Sequence, residues 1–330
     1  MIKVSILVAV YNGEQYLRQC LDSLLGQTLR DIQVVCIDDC STDGSLALLR
    51  EYAAKDRRID VLSLDENHGQ AYARNIGLTV VKGEYVTFLD CDDWYSSDAL
   101  SEAVAVFEHC PQTDTVLFDV MKCEGSASSF KGSVYQMPPF DVLSGYEAFC
   151  LSVNWTIHGV YISRKELYDR YPYDTTSRAY SDDNTTRLHY YISREVRRCK
   201  GVYFYRQNQQ SVTHKVSVRR FDYLRANESM KQQLEALHVE PSVLAQYETV
   251  RWRVLIDLYM FYHCHGKELS AAERVYGLSE LRRVWKTVNR SLLDHDLIRK
   301  FGYHPMPCWL LFRCQEWLYF TLRGWLGRNF

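Results

Sequence analysis

Tyr85-Val86-Thr87-Phe88-Leu89-Asp90-Cys91-Asp92-Asp93 ends a run of strand character in three carboxylates within four positions. Like charges this close repel, and a buried carboxylate is costly unless it is paired or bound to a cation. Mg²⁺ and Mn²⁺ take oxygen ligands, commonly one or two carboxylates together with substrate phosphates. Asp-x-Asp at the C-terminal end of a strand therefore predicts a holder for a metal–diphosphate. The competing expectation is an acidic loop that caps the next helix through Asp93 or Ser96.

Upstream, residues 2–10 form a near-continuous apolar run, as in a central parallel strand, broken by Tyr11-Asn12-Gly13. Tyr16, Leu17, Cys20, Leu21, Leu24 and Leu25 then fall on one helical stripe that stops at Gly26. A strand over 32–37 leads to Asp38-Asp39, and Ser41-Thr42-Asp43-Gly44 is cap chemistry for a helix over 45–54. A strand over 59–64 and a helix over 70–81 complete the approach to the quoted strand. Four strand–helix alternations predict a doubly wound, mostly parallel α/β sheet. Ligands of such sheets bind beyond the strand C-termini, the edge that Asn12, Asp38, Asp39, Asp90 and Asp92 share.

Downstream, the pattern predicts a helix over 97–109, a strand over 115–120 and a loop or hairpin over 123–140. Further strands are expected over 155–163 and 201–205, with helices over 165–170 and 181–196. Beyond about residue 215 the alternation gives way to long helical segments, over 220–237, 241–263, 278–289 and 309–326. Residues 1–215 thus read as one α/β domain. Residues 216–330 read as a helical appendage.

The 330 residues carry a formal charge of −2, 47% hydrophobic and 24% charged side chains, a soluble globular composition. Residues 1–215 hold 22 basic against 29 acidic side chains, and residues 216–330 hold 17 against 12. An acidic first part suits a metal-bridged anionic substrate; a basic second part suits phosphate or an anionic membrane surface. The eleven cysteines show no paired or zinc spacing. A start that runs straight into a strand gives the expectation of no secretory signal, and no apolar run is long enough to span a membrane. The expectation is a cytoplasmic protein with free thiols, peripheral at most to the membrane, and no nucleic acid partner.

Val8-Ala9-Val10-Tyr11-Asn12, the stretch Ile37 through Ser45, the stretch Asn67-His68-Gly69-Gln70-Ala71-Tyr72-Ala73-Arg74-Asn75, and Asp90-Cys91-Asp92-Asp93 occur in this order. Together they resemble the family 2 glycosyltransferases, over roughly residues 1–215, which implies that this part is a catalytic domain with a nucleotide half (about 1–120) and an acceptor half (about 121–215). The resemblance implies a GT-A fold and an inverting, single-displacement transfer from a nucleotide-diphosphate sugar, with a UDP-sugar as the default. It implies a donor site built from Val10, Tyr11, Asn12, Asp38, Asp39, Asn67, Gly69, Arg74, Asp90, Cys91 and Asp92. Asp90 and Asp92 are the expected ligands of Mn²⁺ or Mg²⁺, with His214 completing the set.

Physical chemistry supports several of these roles. Asp38 and Asp39 can accept from a base N–H and a ribose hydroxyl. Gly69 through Arg74 opens a helix, whose N-terminus attracts phosphate. Arg74 can contact the donor or an aspartate at the strand edge. Inverting transfer needs a base to deprotonate the acceptor hydroxyl. By the resemblance, Ser181-Asp182-Asp183-Asn184 supplies it, with Asp183 as base and Asp182 as neighbour, Asp standing where the family usually has Glu. Trp155 and His158 are expected on the acceptor side, although core packing is the stronger expectation for Trp155.

The acceptor is expected to be a saccharide or lipid-linked oligosaccharide. Leu310, Leu311, Cys314, Trp317, Leu318, Leu322 and Trp325 form one helical stripe, with Arg313, Glu316 and Arg323 opposite. Such a helix can lie in a membrane interface, dock on its own domain or contact a second copy. A nicotinamide oxidoreductase is excluded by the lack of Gly-x-Gly-x-x-Gly after the first strand. A degenerate transferase kept as a binding or scaffold partner is the remaining alternative.

Overall fold

The computed structural model describes residues 1–124, 131–177, 180, 182–207 and 216–329. They fall into two compact units, Met1–Arg178 with Thr185–Ser211, and Ala179–Asn184 with Val212–Phe330. The second unit thus takes in 179–184 as well as the helical region, so Asp182 and Asp183 are counted with it.

In the first unit the chain runs β1 (Val4–Val10), α1 (Glu14–Leu25), β2 (Ile32–Asp38), α2 (Ser45–Lys55), β3 (Ile59–Ser63), α3 (Gln70–Leu78) and β4 (Tyr85–Phe88). It continues through β5 (Trp94–Tyr95), α4 (Ala99–His109), β6 (Thr113–Glu124), β7 (Lys131–Val134), β8 (Val142–Leu143), α5 (Gly145–Ser152), β9 (Tyr161–Arg164) and α6 (Lys165–Arg170). Helix α7 (Asp182–Ile192), whose residues from Thr185 on belong to this unit, and β10 (Glu195–Arg206) follow. All ten strands join one sheet, ordered β3-β2-β1-β4-β9-β6-β10-β5, with β7 on β6 and β8 on β10. Strands β1 to β4 are parallel, whereas β9 is antiparallel to both β4 and β6.

The apolar runs of β1 and β2 are almost wholly buried because helices cover both faces of the parallel part. Leu17, Leu21 and Leu24 of α1 pack into one core with Val4, Ile6 and Val8; Leu7, Val35 and Ile37 face a second with Ala73 of α3. In register, Val10 lies beside Asp38, Asp38 beside Ser63, and Leu7 beside Phe88. The C-terminal ends of β1, β2 and β4 therefore share one edge.

Several predicted bounds move. Helix α3 ends at Leu78 instead of reaching 81, and the strand expected over 155–163 is confined to Tyr161–Arg164. Trp155 instead sits in a turn at φ 54°, which a strand cannot accommodate. The short β5, antiparallel to β10, gave no periodic signal in two residues. Asp93 and Ser96 do not cap α4; the N-cap residue is Asp98, whose side chain accepts from Ser96 Oγ at 2.7 Å. Of the loop or hairpin expected over 123–140, Lys131–Val134 pair as β7 antiparallel to β6.

The second unit contains α8 (Asp222–Ala236), α9 (Pro241–His265), α10 (Ala271–Thr287), the short α11 (His295–Ile298) and α12 (Trp309–Trp325). Trp252, Leu255 and Tyr259 of α9 form its core with Leu281 and Val284 of α10 and Phe312 and Phe320 of α12. Ser270 opens α10 with a capping box closed by Glu273. Among the described residues no helix is long and apolar enough to cross a membrane.

Candidate functional site

The edge where β1, β2 and β4 end is built by short polar loops that hold one another. Asn12, at φ 53°, takes the left-handed conformation that Asn tolerates, and its Oδ1 accepts from Thr42 N at 2.8 Å. Gly13 N donates to Ser45 Oγ at 2.9 Å, and Asp43 accepts from both Glu14 N and Ser45 N. The turns after β1 and β2 are thereby one structure, and the exposed Tyr11 projects from it. A Cβ on Gly13 would stand 2.8 Å from Cys91 Sγ, so a larger residue here would make the Cys91 side chain shift.

The paired aspartates divide their work. Asp39 Oδ1 accepts from His68 N at 2.9 Å, and its Oδ2 from Gly69 N at 2.7 Å and Asn67 Nδ2 at 3.0 Å. These bonds fix Gly69, at φ 93°, as the N-cap residue of α3, and they put a carboxylate at that helix end already. Asp38 is equally buried, but only its Oδ2 is engaged, by Ser41 N at 3.2 Å. Asp38 Oδ1 is buried with no hydrogen-bond partner among the described residues. A buried acceptor left open is rare in a folded protein and points to a group the protein itself does not supply.

The acidic turn after β4 is asymmetric. Asp90 Oδ1 accepts from Arg74 Nη2 and Gln70 Nε2, both at 2.7 Å. The Arg74 guanidinium lies 4.1 Å over the Phe88 ring and 5.3 Å from that of Tyr173. Of the two contacts the sequence offered Arg74, the structure contains the one to the strand-edge aspartate. Asp93 is buried, with its oxygens accepting from Tyr203 Oη and Arg206 N, each at 2.7 Å. Among the described residues Asp92 has no such clamp: Arg206 Nε donates at 2.8 Å to its main-chain carbonyl, not to its carboxylate.

Burial, and then the like charge of Asp90, push the Asp92 carboxyl up to about 6. The Asp93 carboxyl is raised well above its ordinary value by burial and by the charges of Asp90 and Asp92. Burial pushes the Cys91 thiol up to about 12, so Cys91 contributes packing and no thiolate. A divalent cation is the species this field favours, since it would relieve the repulsion that holds Asp92 up. Among the described residues no three His, Cys, Asp or Glu side chains converge as metal ligands. Two carboxylates fit a cation that completes its shell with substrate phosphates, as Mg²⁺ and Mn²⁺ do. His214 lies outside the described residues.

Tyr203, Arg206 and Gln70 were missed as site residues by sequence reasoning. Arg206 is stacked over Trp94 at 4.8 Å and Tyr16 at 4.7 Å, and its Nη2 reaches Gln19 Oε1 at 2.6 Å. It thereby ties the end of β10 to α1 and to the acidic turn. The alternating aromatics of 201–205 revealed a strand but not that Tyr203 faces the aspartates.

Away from this edge, Trp155 is half-buried under the Arg187 guanidinium, at 4.9 Å. His158 is buried, stacked edge-on against Tyr135, and burial pulls its imidazole down to about 4. A neutral core histidine describes it. In the second unit, Asp182 and Asp183 occupy the first turn of α7, where the helix dipole favours carboxylates. Tyr223 Oη donates to Asp183 Oδ2 at 3.4 Å, and Asn184 Nδ2 donates to the Ala226 carbonyl at 2.8 Å.

Residues 5–143 match the sequence model of the family described as Glycosyl transferase family 2. The chain is 46% identical over 96 residues to "Glycosyltransferase GlyA" of Streptococcus pneumoniae, covering 29% of this chain and 14% of that protein. It is 32% identical over 227 residues to "Uncharacterized glycosyltransferase EpsJ" of Bacillus subtilis, covering 64% and 62%. The first curated relatives are spanned over only 14–40% of their own length. Among solved structures, S. aureus TarS 1-349 in complex with UDP-GlcNAc is similar at TM-score 0.76 and 18% identity, over 99% of this chain and 92% of that one. At that identity the likeness bears on the fold alone, a GT-A sheet followed by a helical region.

Proposed function

We propose that this chain, whose residues 5–143 match the model of glycosyl transferase family 2, transfers a sugar from a nucleotide-diphosphate sugar to a hydroxyl of a saccharide or lipid-linked acceptor. A UDP-sugar is the donor that the TarS complex suggests. The observation that carries this is the acidic turn after β4, where Asp90 and Asp93 are clamped and Asp92 is left with a carboxyl raised to about 6.

Each residue then has a distinct task. Asp38 Oδ1, buried and open, accepts from the base or ribose of the donor. Asp39 positions the start of α3 through Asn67, His68 and Gly69. Asp92 and Asp90 would hold Mn²⁺ or Mg²⁺, and a bound cation would offset the charge that builds on the leaving group. Arg74 and Gln70 fix the Asp90 carboxylate, while Tyr203 and Arg206 fix the backbone of the turn. On the family resemblance, Asp183 takes the proton of the attacking hydroxyl, so that one displacement inverts the anomeric centre.

The test is UDP binding by calorimetry, with Mn²⁺ and with EDTA, followed by assay of sugar transfer or release from a panel of UDP-sugars. Metal-dependent binding and turnover are expected. Equal UDP affinity in EDTA rejects the metal assignment, and binding without turnover of any donor makes the chain a binding protein.

A further inference from the structure

Helix α12 packs by the face opposite its long apolar stripe. Phe312, Gln315, Glu316 and Phe320 are the buried residues, with Phe312 and Phe320 inside the core of the second unit. The stripe is left outside: Leu310 is 68% exposed, Trp317 57%, Trp325 79% and Leu326 67%, with Leu311, Leu318 and Leu322 also exposed. Both faces of one helix are apolar, and only one is used within the unit. Monomeric soluble proteins rarely leave such a contiguous patch uncovered.

The charge pattern selects the occupant. Residues 305–330 contain one carboxylate, Glu316, and it is fully buried. Burial raises its carboxyl to about 8, so it adds no negative charge at neutral pH. The same segment carries Arg313, Arg323 and Arg328, none of which makes an ion pair among the described residues. Arg323 instead donates to the Arg328 carbonyl at 3.1 Å and lies 5.6 Å over the Tyr319 ring. The Arg323 charge also reaches Asp257, with which it makes no ion pair among the described residues. Beside these arginines is a cavity of about 400 Å³ walled by Phe301, Tyr319, Leu322 and Leu326.

We infer that the outer face of α12 is a docking surface for an anionic lipid membrane, with Trp317, Leu318 and Trp325 entering the interface and Arg323 and Arg328 meeting lipid phosphate. Tryptophan belongs at the headgroup level, and the arginines add an attraction that salt screens. A polyanionic polymer in water would use the arginines but would leave the Leu and Trp side chains wet. A single interfacial helix gives weak, reversible attachment. None of this depends on the reaction proposed above.

The test is co-sedimentation of the full chain with mixed phosphatidylcholine–phosphatidylglycerol vesicles, against pure phosphatidylcholine. Capture should favour the anionic vesicles and fall at high salt. Leu318→Glu/Trp325→Glu should lower capture by about ten-fold or more, with the melting temperature unchanged because both side chains lie outside the core. Arg323→Gln/Arg328→Gln should remove the preference for the anionic lipid. Absence of capture at low salt, or capture insensitive to the double Glu variant, overturns the inference. So does a dimer by light scattering that the same variant turns into a monomer, since the face would then belong to a second copy.

Discussion

Arg74 Nη2 meets Asp90 Oδ1 at 2.7 Å, and the arginine that makes this ion pair is 2% exposed at its side chain, against 32% for the aspartate. The buried partner is the cation, so losing it would strand Asp90 beside Asp92 and Asp93. Asp90 keeps access to solvent, which is what a residue that also faces a ligand requires. The pair makes Asp90 a fixed negative point and leaves Asp92 to respond to whatever binds.

Arg74→Ala should therefore destabilise the first unit by about 2–3 kcal/mol, below the full cost of breaking a completely buried pair. Urea denaturation checks it. A midpoint equal to wild type would mean that the pair contributes nothing net.

Asp92→Asn should act with opposite signs on stability and on ligand binding. Because the folded carboxyl is raised from 3.8 to about 6, the folded state holds the proton more tightly than the unfolded one. Stability from this group is full below 3.8 and is lost as the pH rises through 6. At pH 7 the variant, free of that penalty, should be more stable in EDTA by about 1–2 kcal/mol, a figure reduced for solvent contact. It should also lose the extra thermal stabilisation that Mn²⁺ adds to UDP. Thermal melts with and without metal read both effects.

Asp183→Asn should lower sugar transfer by roughly 10²-fold or more while leaving UDP affinity intact. Asp182→Asn should cost less. Initial-rate kinetics beside calorimetry separate the two quantities, and a larger loss for Asp182→Asn would move the base to that residue.

Glu316→Gln should flatten the pH dependence of the second unit. The Glu316 carboxyl is raised from 4.5 to about 8 by burial, so its contribution to stability is complete below 4.5 and disappears as the pH climbs through 8. The variant should match wild type near pH 4 and exceed it at pH 8. Melting temperatures taken across that range test the difference, and parallel curves would mean that Glu316 ionises freely in the fold.

Phe312→Ala should cost about 3–5 kcal/mol, as expected for a ring removed from a packed core. Trp325→Ala should stay within about 0.5 kcal/mol of wild type. Denaturant midpoints for the two variants decide which face of α12 is structural.

Local pattern in the sequence determined most of the first unit. The apolar runs that became β1 and β2, the stripe of α1 and the cap residues around Asp43 each report burial or hydrogen bonding within a few neighbours. Those signals survive without knowledge of the fold. They also sufficed to put Asn12, Asp38, Asp39, Asp90 and Asp92 at one edge, because strands that are parallel and adjacent must end together. Only the tertiary structure decided how those aspartates differ. Asp39 is spent on residues 28–30 positions away, and Asp93 is held by Tyr203 and Arg206, 110 and 113 positions away. Identical carboxylates acquire different roles from partners that strand order alone brings near. The same holds for α12, where Leu, Trp and Phe occur all around the helix. When both faces are apolar, periodicity cannot choose between them, and the better fit of Phe312 and Phe320 into the core of α9 and α10 settles which is buried.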